Sequence, residues 1–147
     1  MALTHRTAMT DLAAGAYAAL STATFTTAAP IFRVYVPEGQ TTPYAVLQAF
    51  TEGHGWDTMG QPAKDCTFQL HVVSQSRGEV EASAILNTGI GILMRGFQGS
   101  TEAALTVANH RLCLMDYEGS DGFEEDDLGV LQFHRVGRFR AQLDQST

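Results

Sequence analysis

The residues of this chain that could carry chemistry are few and scattered. The stretch Glu52-Gly53-His54-Gly55-Trp56-Asp57 places an imidazole close to a carboxylate in a glycine-rich setting. A histidine so placed could act as a general base, provided a nucleophile or substrate proton lies within hydrogen-bond reach. Nothing in the sequence supplies one. Tryptophan is enriched among the anchors of protein interfaces. The segment therefore reads better as a docking loop, with His54, Trp56, Asp57, Met59 and Gln61 as candidate partner contacts. His110-Arg111-Leu112-Cys113 offers one imidazole and one thiol, whereas zinc needs three or four ligands. Cys66, His71 and His134 could complete a set only if the fold happened to gather them.

The run from Asp116 to Asp127 has the acidity of a calcium loop but not its spacing. An EF-hand requires glycine at the sixth position and a bidentate glutamate at the twelfth. Here those places hold Asp121 and Asp127. The run reads instead as a solvated turn between strands, its Glu118, Asp121, Glu124, Glu125, Asp126 and Asp127 forming an acidic surface. Gly89-Ile90-Gly91 lacks the third glycine of a dinucleotide fingerprint. Phosphate-loop and nucleophile-elbow motifs are missing as well. No catalytic, cofactor-binding or metal-binding residues are expected.

Composition narrows the class further. The 147 residues suit a single domain, with 44% hydrophobic and 17% charged residues. That charged share is below the roughly 25% usual for soluble domains, as expected of a surface partly covered by partners. The net charge of −7 argues against stable nucleic-acid binding, which needs a basic footprint. An acidic surface suits a protein that DNA must pass without sticking. Cys66 and Cys113 form no CxxC pattern and read as buried free thiols, which fits a reducing cytosol. The sequence shows neither a signal peptide nor a membrane-spanning run.

The elements that must position these residues follow from periodicity. Residues 7–21 are alanine-rich, and Met9, Leu12, Ala16, Tyr17 and Leu20 recur at helical spacing. Residues 22–30 read as a Thr/Ala linker. Residues 31–36 and 44–50 read as strands, with a loop over 51–64. Cys66, Phe68, Leu70 and Val72 then alternate with Thr67, Gln69 and His71, the mark of a half-buried strand. Ser76-Arg77-Gly78-Glu79 fits a capping box. It opens a helix to about Gly96, whose inward face is Ala82, Ile85, Leu86, Gly89, Ile92 and Leu93. Gly89 and Gly91 each weaken that helix by about 1 kcal/mol relative to alanine, so close approach to the sheet is expected. Strands are predicted over 104–107, 112–117 and 128–143, with a turn at Asp121-Gly122 and a bulge or bend at Gly137. The expected fold class is α+β: a mainly antiparallel sheet with two helices on one face, in the order α-β-β-β-α-β-β-β.

This layout resembles the tail-terminator, or tail-completion, proteins of long, flexible-tailed bacteriophages and of gene-transfer particles. The resemblance is carried by the alanine-rich first helix followed by Ile31-Phe32-Arg33-Val34-Tyr35, and by Pro37-Glu38-Gly39 leading to Pro43-Tyr44-Ala45-Val46-Leu47. The strand Phe68-Gln69-Leu70-His71-Val72-Val73-Ser74 runs into the helix from Glu79 to Phe97, and His110-Arg111-Leu112 and the acidic stretch precede Gly129-Val130-Leu131-Gln132-Phe133. It implies a hexameric ring at the head-proximal end of the tail tube, assembled in the host cytoplasm and carried in the virion. Such a ring stops tube polymerisation, meets the head-completion (stopper) protein and lets DNA through its lumen, with the acidic residues from Glu118 to Asp127 facing either solvent or that lumen. No cofactor is implied. The alternatives are another neck or tail-tube ring protein or, in a different class, a small-molecule-binding domain or hydrolase using His54, Asp57 and His71.

Overall fold

In the computed structural model the described residues are 7–54, 63–75, 79–127 and 129–145. Helix α1 (Met9–Leu20) and a single turn, α2 (Ala23–Thr26), precede strands β1 (Ile31–Arg33), β2 (Tyr44–His54) and β3 (Ala63–Ser74). Helix α3 (Glu79–Leu93) and two long strands, β4 (His110–Asp127) and β5 (Val130–Gln145), complete the chain. The sheet order is β1-β2-β3-β5-β4. Only β1 and β2 run parallel; the remaining neighbours are antiparallel. The fold is α+β and dominated by its sheet, as the alternation patterns predict.

Both long helices lie on the same face of the sheet. The strand residues with inward parity, Ala45 and Leu47, Cys66 to Val72 in alternation, Met115, and Phe139, Ala141 and Leu143, meet Leu12, Ala16 and Leu20 of α1. They also meet all six predicted inward residues of α3. Phe50, Phe68 and Phe139 form a continuous stack across β2, β3 and β5, with centroids 5.2 and 5.1 Å apart. At Gly89 α3 approaches the sheet and α2 closely: a Cβ there would lie 2.5 Å from Leu70 Cδ2 and 3.2 Å from Phe25 Cε2. Gly91 faces open space.

Several expectations are corrected. The linker over 22–30 contains α2, because Phe25 needs one helical turn to reach the core. Residues 104–107 form no strand; the segment packs Leu105 against the core and Val107 into it. The sheet thus has two strands after α3, not three. Asp121-Gly122 is not a turn, since β4 runs on to Asp127 paired residue by residue with β5. Gly137 makes no bulge. The β3–β5 register is unbroken through it, and its bare Cα admits Leu86, whose Cδ1 would lie 2.9 Å from an added Cβ. Cys66 is buried as expected, but Cys113 is exposed, because the β4 register shifts between Leu112 and Leu114 and turns its side chain out of the core pattern. Met9 and Tyr17, expected on the inward face of α1, are partly exposed, and Tyr17 lies beneath the Arg33 guanidinium, 6.0 Å away. Leu131 shares the parity of the β5 core residues yet is 46% exposed, because the end of the β4–β5 hairpin extends beyond the helices.

Three register shifts decide which residues reach which face. In β2 the shift lies between Gln48 and Thr51, with Ala49 at φ +57°. It reverses the parity, so Phe50 and Glu52 face the helices. Glu52 Oε1 then accepts hydrogen bonds from the backbone N–H groups of Ala8 and Met9, the latter at 3.0 Å. A carboxylate from a distant strand caps α1, whose own N-terminal residue Ala8 has no side chain for the task. In β4, shifts flanking Cys113 and Glu118 place Asp121 and Glu125 at positions on the face away from the helices.

Candidate functional site

The helix-free face of the sheet is polar and largely self-paired. Arg140 donates from Nε to Asp65 Oδ1 at 2.8 Å and forms a second contact through Nη2 to Oδ2. Arg138 pairs with Asp121, and Arg111 with Asp144 at 2.7 Å. Cross-strand hydroxyls of Thr51 and Thr67 also meet. Such exposed ion pairs stabilise little individually. Together they leave each of these three cations with an acidic partner on a wet, net acidic surface.

At one end of this face, four strands contribute to a single cluster. Gln48 on β2 donates to His71 Nδ1 on β3 at 3.1 Å. His71 Nε2 lies 2.7 Å from His134 Nδ1 on β5. His134 Nε2 is 3.0 Å from Glu125 Oε2 on β4. Phe123 stacks on the His134 ring at a centroid distance of 4.4 Å. Burial and the neighbouring His134 push His71 down to about 4. Burial also lowers His134, against the raising effect of Glu125. Burial, and then the Glu125 charge, raise the phenol of Tyr44.

The cluster has the wrong geometry for a metal. Glu125 faces the opposite ring nitrogen of His134 from His71, so the three cannot converge on one ion. Among the described residues no three His, Cys, Asp or Glu side chains gather for a metal. Cys66 lies in the core on the helix side. The His110 Nδ1 is 2.9 Å from the Ala108 carbonyl and 3.4 Å from Asp11, tying β4 to α1. A hydrolase built on His54, Asp57 and His71 gains nothing from the arrangement. The His71 ring is occupied by Gln48 and His134, His54 ends β2, and Asp57 lies outside the described residues together with Trp56, Met59 and Gln61. The serine of the predicted capping box also lies outside them.

The acidic residues are split by the strand they belong to. Asp121 and Glu125 pair with Arg138 and His134 on the helix-free face. Glu124 lines a small cavity on the helix side with Glu79, Phe133 and Arg135. Asp126 Oδ1 accepts from the Gly129 N–H at 3.0 Å, closing the hairpin. Glu118 sits at the second register shift of β4 and is exposed, and Asp127 ends the strand. Sequence reasoning passed over Gln48 and Glu125 as partners of the histidines. The sole signal available was the odd parity of His71 beside Phe68 and Leu70; cross-strand register is not written in local periodicity.

Both edges of the sheet are open among the described residues. Among the described residues no further strand pairs with the outer side of β4, although Gln98 Nε2 donates to Asp116 Oδ1 at 3.2 Å, and β1 has only β2 as a strand neighbour. Exposed apolar side chains flank these edges. Val34 and Tyr35, just past β1, are 75% and 71% exposed, and Val34 is held at φ +61°. Leu114, Phe123, Val130 and Leu131 are exposed along the β4–β5 hairpin.

The site as a whole is a half-covered sheet with two apolar-flanked edges and a self-paired polar face. The family model of tail completion protein gp17 matches residues 8–88, and the chain belongs to that family. Among solved structures, it is similar to a chain of the virion of a native gene transfer agent particle. That likeness has a TM-score of 0.75 at 15% identity and covers 95% of this chain and 99% of the other. At that identity the likeness is one of fold. No curated protein matches the chain in sequence.

Proposed function

We propose that the chain is a structural virion protein that acts by assembly and not by catalysis, forming a closed ring of six subunits at the head-proximal end of a phage-type tail tube. The ring caps the last ring of the tube, stops its growth, and presents its other face to the head-completion (stopper) protein. DNA passes through the lumen without sequence-specific binding. The observation that carries this reading is the pair of open sheet edges. Unpaired edge strands template association, and head-to-tail contact between unlike edges generates a ring when the rotation closes. Family membership and the fold shared with a gene transfer agent virion chain support it. Strands β2 and β3 carry the chain out to His54 and back from Ala63. The segment between them, with Trp56, Asp57, Met59 and Gln61, is the element we assign to contact with a neighbouring ring. The acidic positions of β4 are assigned to a surface that repels passing DNA.

Native mass spectrometry and electron microscopy of the purified chain, alone and mixed with its tube protein, test the reading. A ring of six that shortens tubes in a polymerisation assay is expected. Long polymers of the chain itself would reassign it to the tube, and a monomer unchanged by tube protein would overturn the proposal.

A further inference from the structure

The cluster of Gln48, His71, His134 and Glu125 joins the root of the β4–β5 hairpin to the body of the sheet. Strand β3 pairs with β5 as far as Ser74 opposite Phe133, and beyond that point β5 has β4 alone as a neighbour. His134 is therefore among the last residues of the hairpin held by a third strand. The hydrogen bonds that reach it have a direction. Because Gln48 donates to His71 Nδ1, the neutral His71 carries its proton on Nε2 and donates it to His134 Nδ1. His134 in turn carries its proton on Nε2, toward Glu125.

One added proton fits this chain of groups. His134 can hold it between Glu125 and the face of Phe123, where a ring quadrupole favours a cation. His71 then shifts its own proton to Nδ1 and accepts from His134 through Nε2, while the Gln48 amide turns to present its oxygen. A second proton has no such accommodation. It sets two N–H donors and two charges against each other across 2.7 Å. The other groups facing the pair do not relieve this. Tyr44 is a neutral phenol, Asp121 is engaged by Arg138, and Glu125 is already used. On the helix side of the hairpin, Glu79 and Arg135 line a separate small cavity together with the edge of His134.

We propose that the His71–His134 pair is an acid-released clasp, which holds the β4–β5 hairpin against the sheet while it carries at most one proton and frees the hairpin when it takes a second. This goes beyond the ring assignment and does not depend on it. The hairpin carries most of the acidic positions and the exposed Phe123, Val130 and Leu131, so its release would remodel one open edge of the domain.

Hydrogen exchange of the full chain at pH 6.5, 5 and 4, corrected for intrinsic rates, reads the opening. Imidazole nitrogen NMR reads the tautomers alongside it. In the wild type, amides of 121–127 and 130–135 are expected to lose about tenfold or more of their protection by pH 4, while those of 66–70 keep theirs. His71→Gln, which can still accept from Gln48 and donate to His134 but cannot take a second proton, is expected to keep the hairpin closed. His134→Asn serves the same purpose should His71→Gln fail to fold. Equal acid opening in wild type and both variants would overturn the clasp and point to carboxylate titration. Glu125→Gln is expected to open at higher pH than wild type, and an unchanged profile counts against the pair. Two imidazoles that titrate independently near their ordinary value also refute it.

Discussion

The contrast between Gly89 and Gly91 offers a test of how the helix layer meets the sheet. Alanine is better than glycine in a helix interior by about 1 kcal/mol, chiefly through the unfolded chain. At Gly91 nothing lies within 4 Å of an added Cβ, so Gly91→Ala should stabilise by about 0.5–1 kcal/mol. At Gly89 the same methyl group meets Leu70 Cδ2 at 2.5 Å and Phe25 Cε2 at 3.2 Å. Both of those side chains are fully buried and cannot swing into solvent. Overpacking of this kind costs about 1–3 kcal/mol. Subtracting the helix gain leaves Gly89→Ala between neutral and about 2 kcal/mol destabilising. Urea denaturation at fixed protein concentration measures both free energies, and in thermal unfolding the two variants should differ in Tm by several degrees at roughly 2–4 °C per kcal/mol. Leu70→Val removes the atom responsible for the closest contact, so in that background the Gly89→Ala penalty should shrink by about 1 kcal/mol, a coupling that a double-mutant cycle isolates. If Gly89→Ala stabilises as much as Gly91→Ala, the tight α3–β3 approach is wrong.

Glu52→Ala should destabilise by about 1–2 kcal/mol, the scale of a lost N-cap, with the loss of amide protection concentrated in the first turn of α1. Glu52→Gln, which keeps an acceptor oxygen, should lose less. Of the two thiols, Cys113 should react with a maleimide in the native state, while burial and the nearby Glu52 and Asp65 carboxylates push the Cys66 thiol up to about 12 and protect it. Two thiols reacting at the same rate before unfolding would contradict that assignment. Stability should also fall with acid through His71. Its folded value of about 4 lies below the ordinary 6.5. The contribution is therefore complete above pH 6.5, declines as pH falls through that window, and is gone below pH 4. The full shift corresponds to about 3 kcal/mol, and solvent screening of this partly exposed ring reduces it to about 1–2 kcal/mol. His71→Gln should flatten a urea-midpoint profile between those pH values, and an unaltered slope would refute the attribution.

Much of the layer structure is written locally. The alternation from Cys66 to Val72 and the spacing of Ala82, Ile85, Leu86, Gly89, Ile92 and Leu93 each define a buried stripe without reference to the rest of the chain, because side-chain direction repeats every two residues in a strand and every 3.6 in a helix. The close approach at Gly89 could be expected for the same reason. Phe25 gave no such signal: it stands alone in a Thr/Ala stretch, and one apolar residue has no period. The acidic run 118–127 looked like a turn because its composition is that of a loop, yet sixteen cross-strand pairs between β4 and β5 draw it into the sheet.

What the amino-acid sequence determined alone was which residues prefer water and with what period, hence the α+β class and the face each regular element turns inward. Register was decided only in three dimensions. The shift at Ala49 brings Glu52 to the start of α1, and the shift at Glu118 brings Glu125 to His134. Each depends on how two distant stretches of backbone align, and a single inserted residue reverses every side chain beyond it.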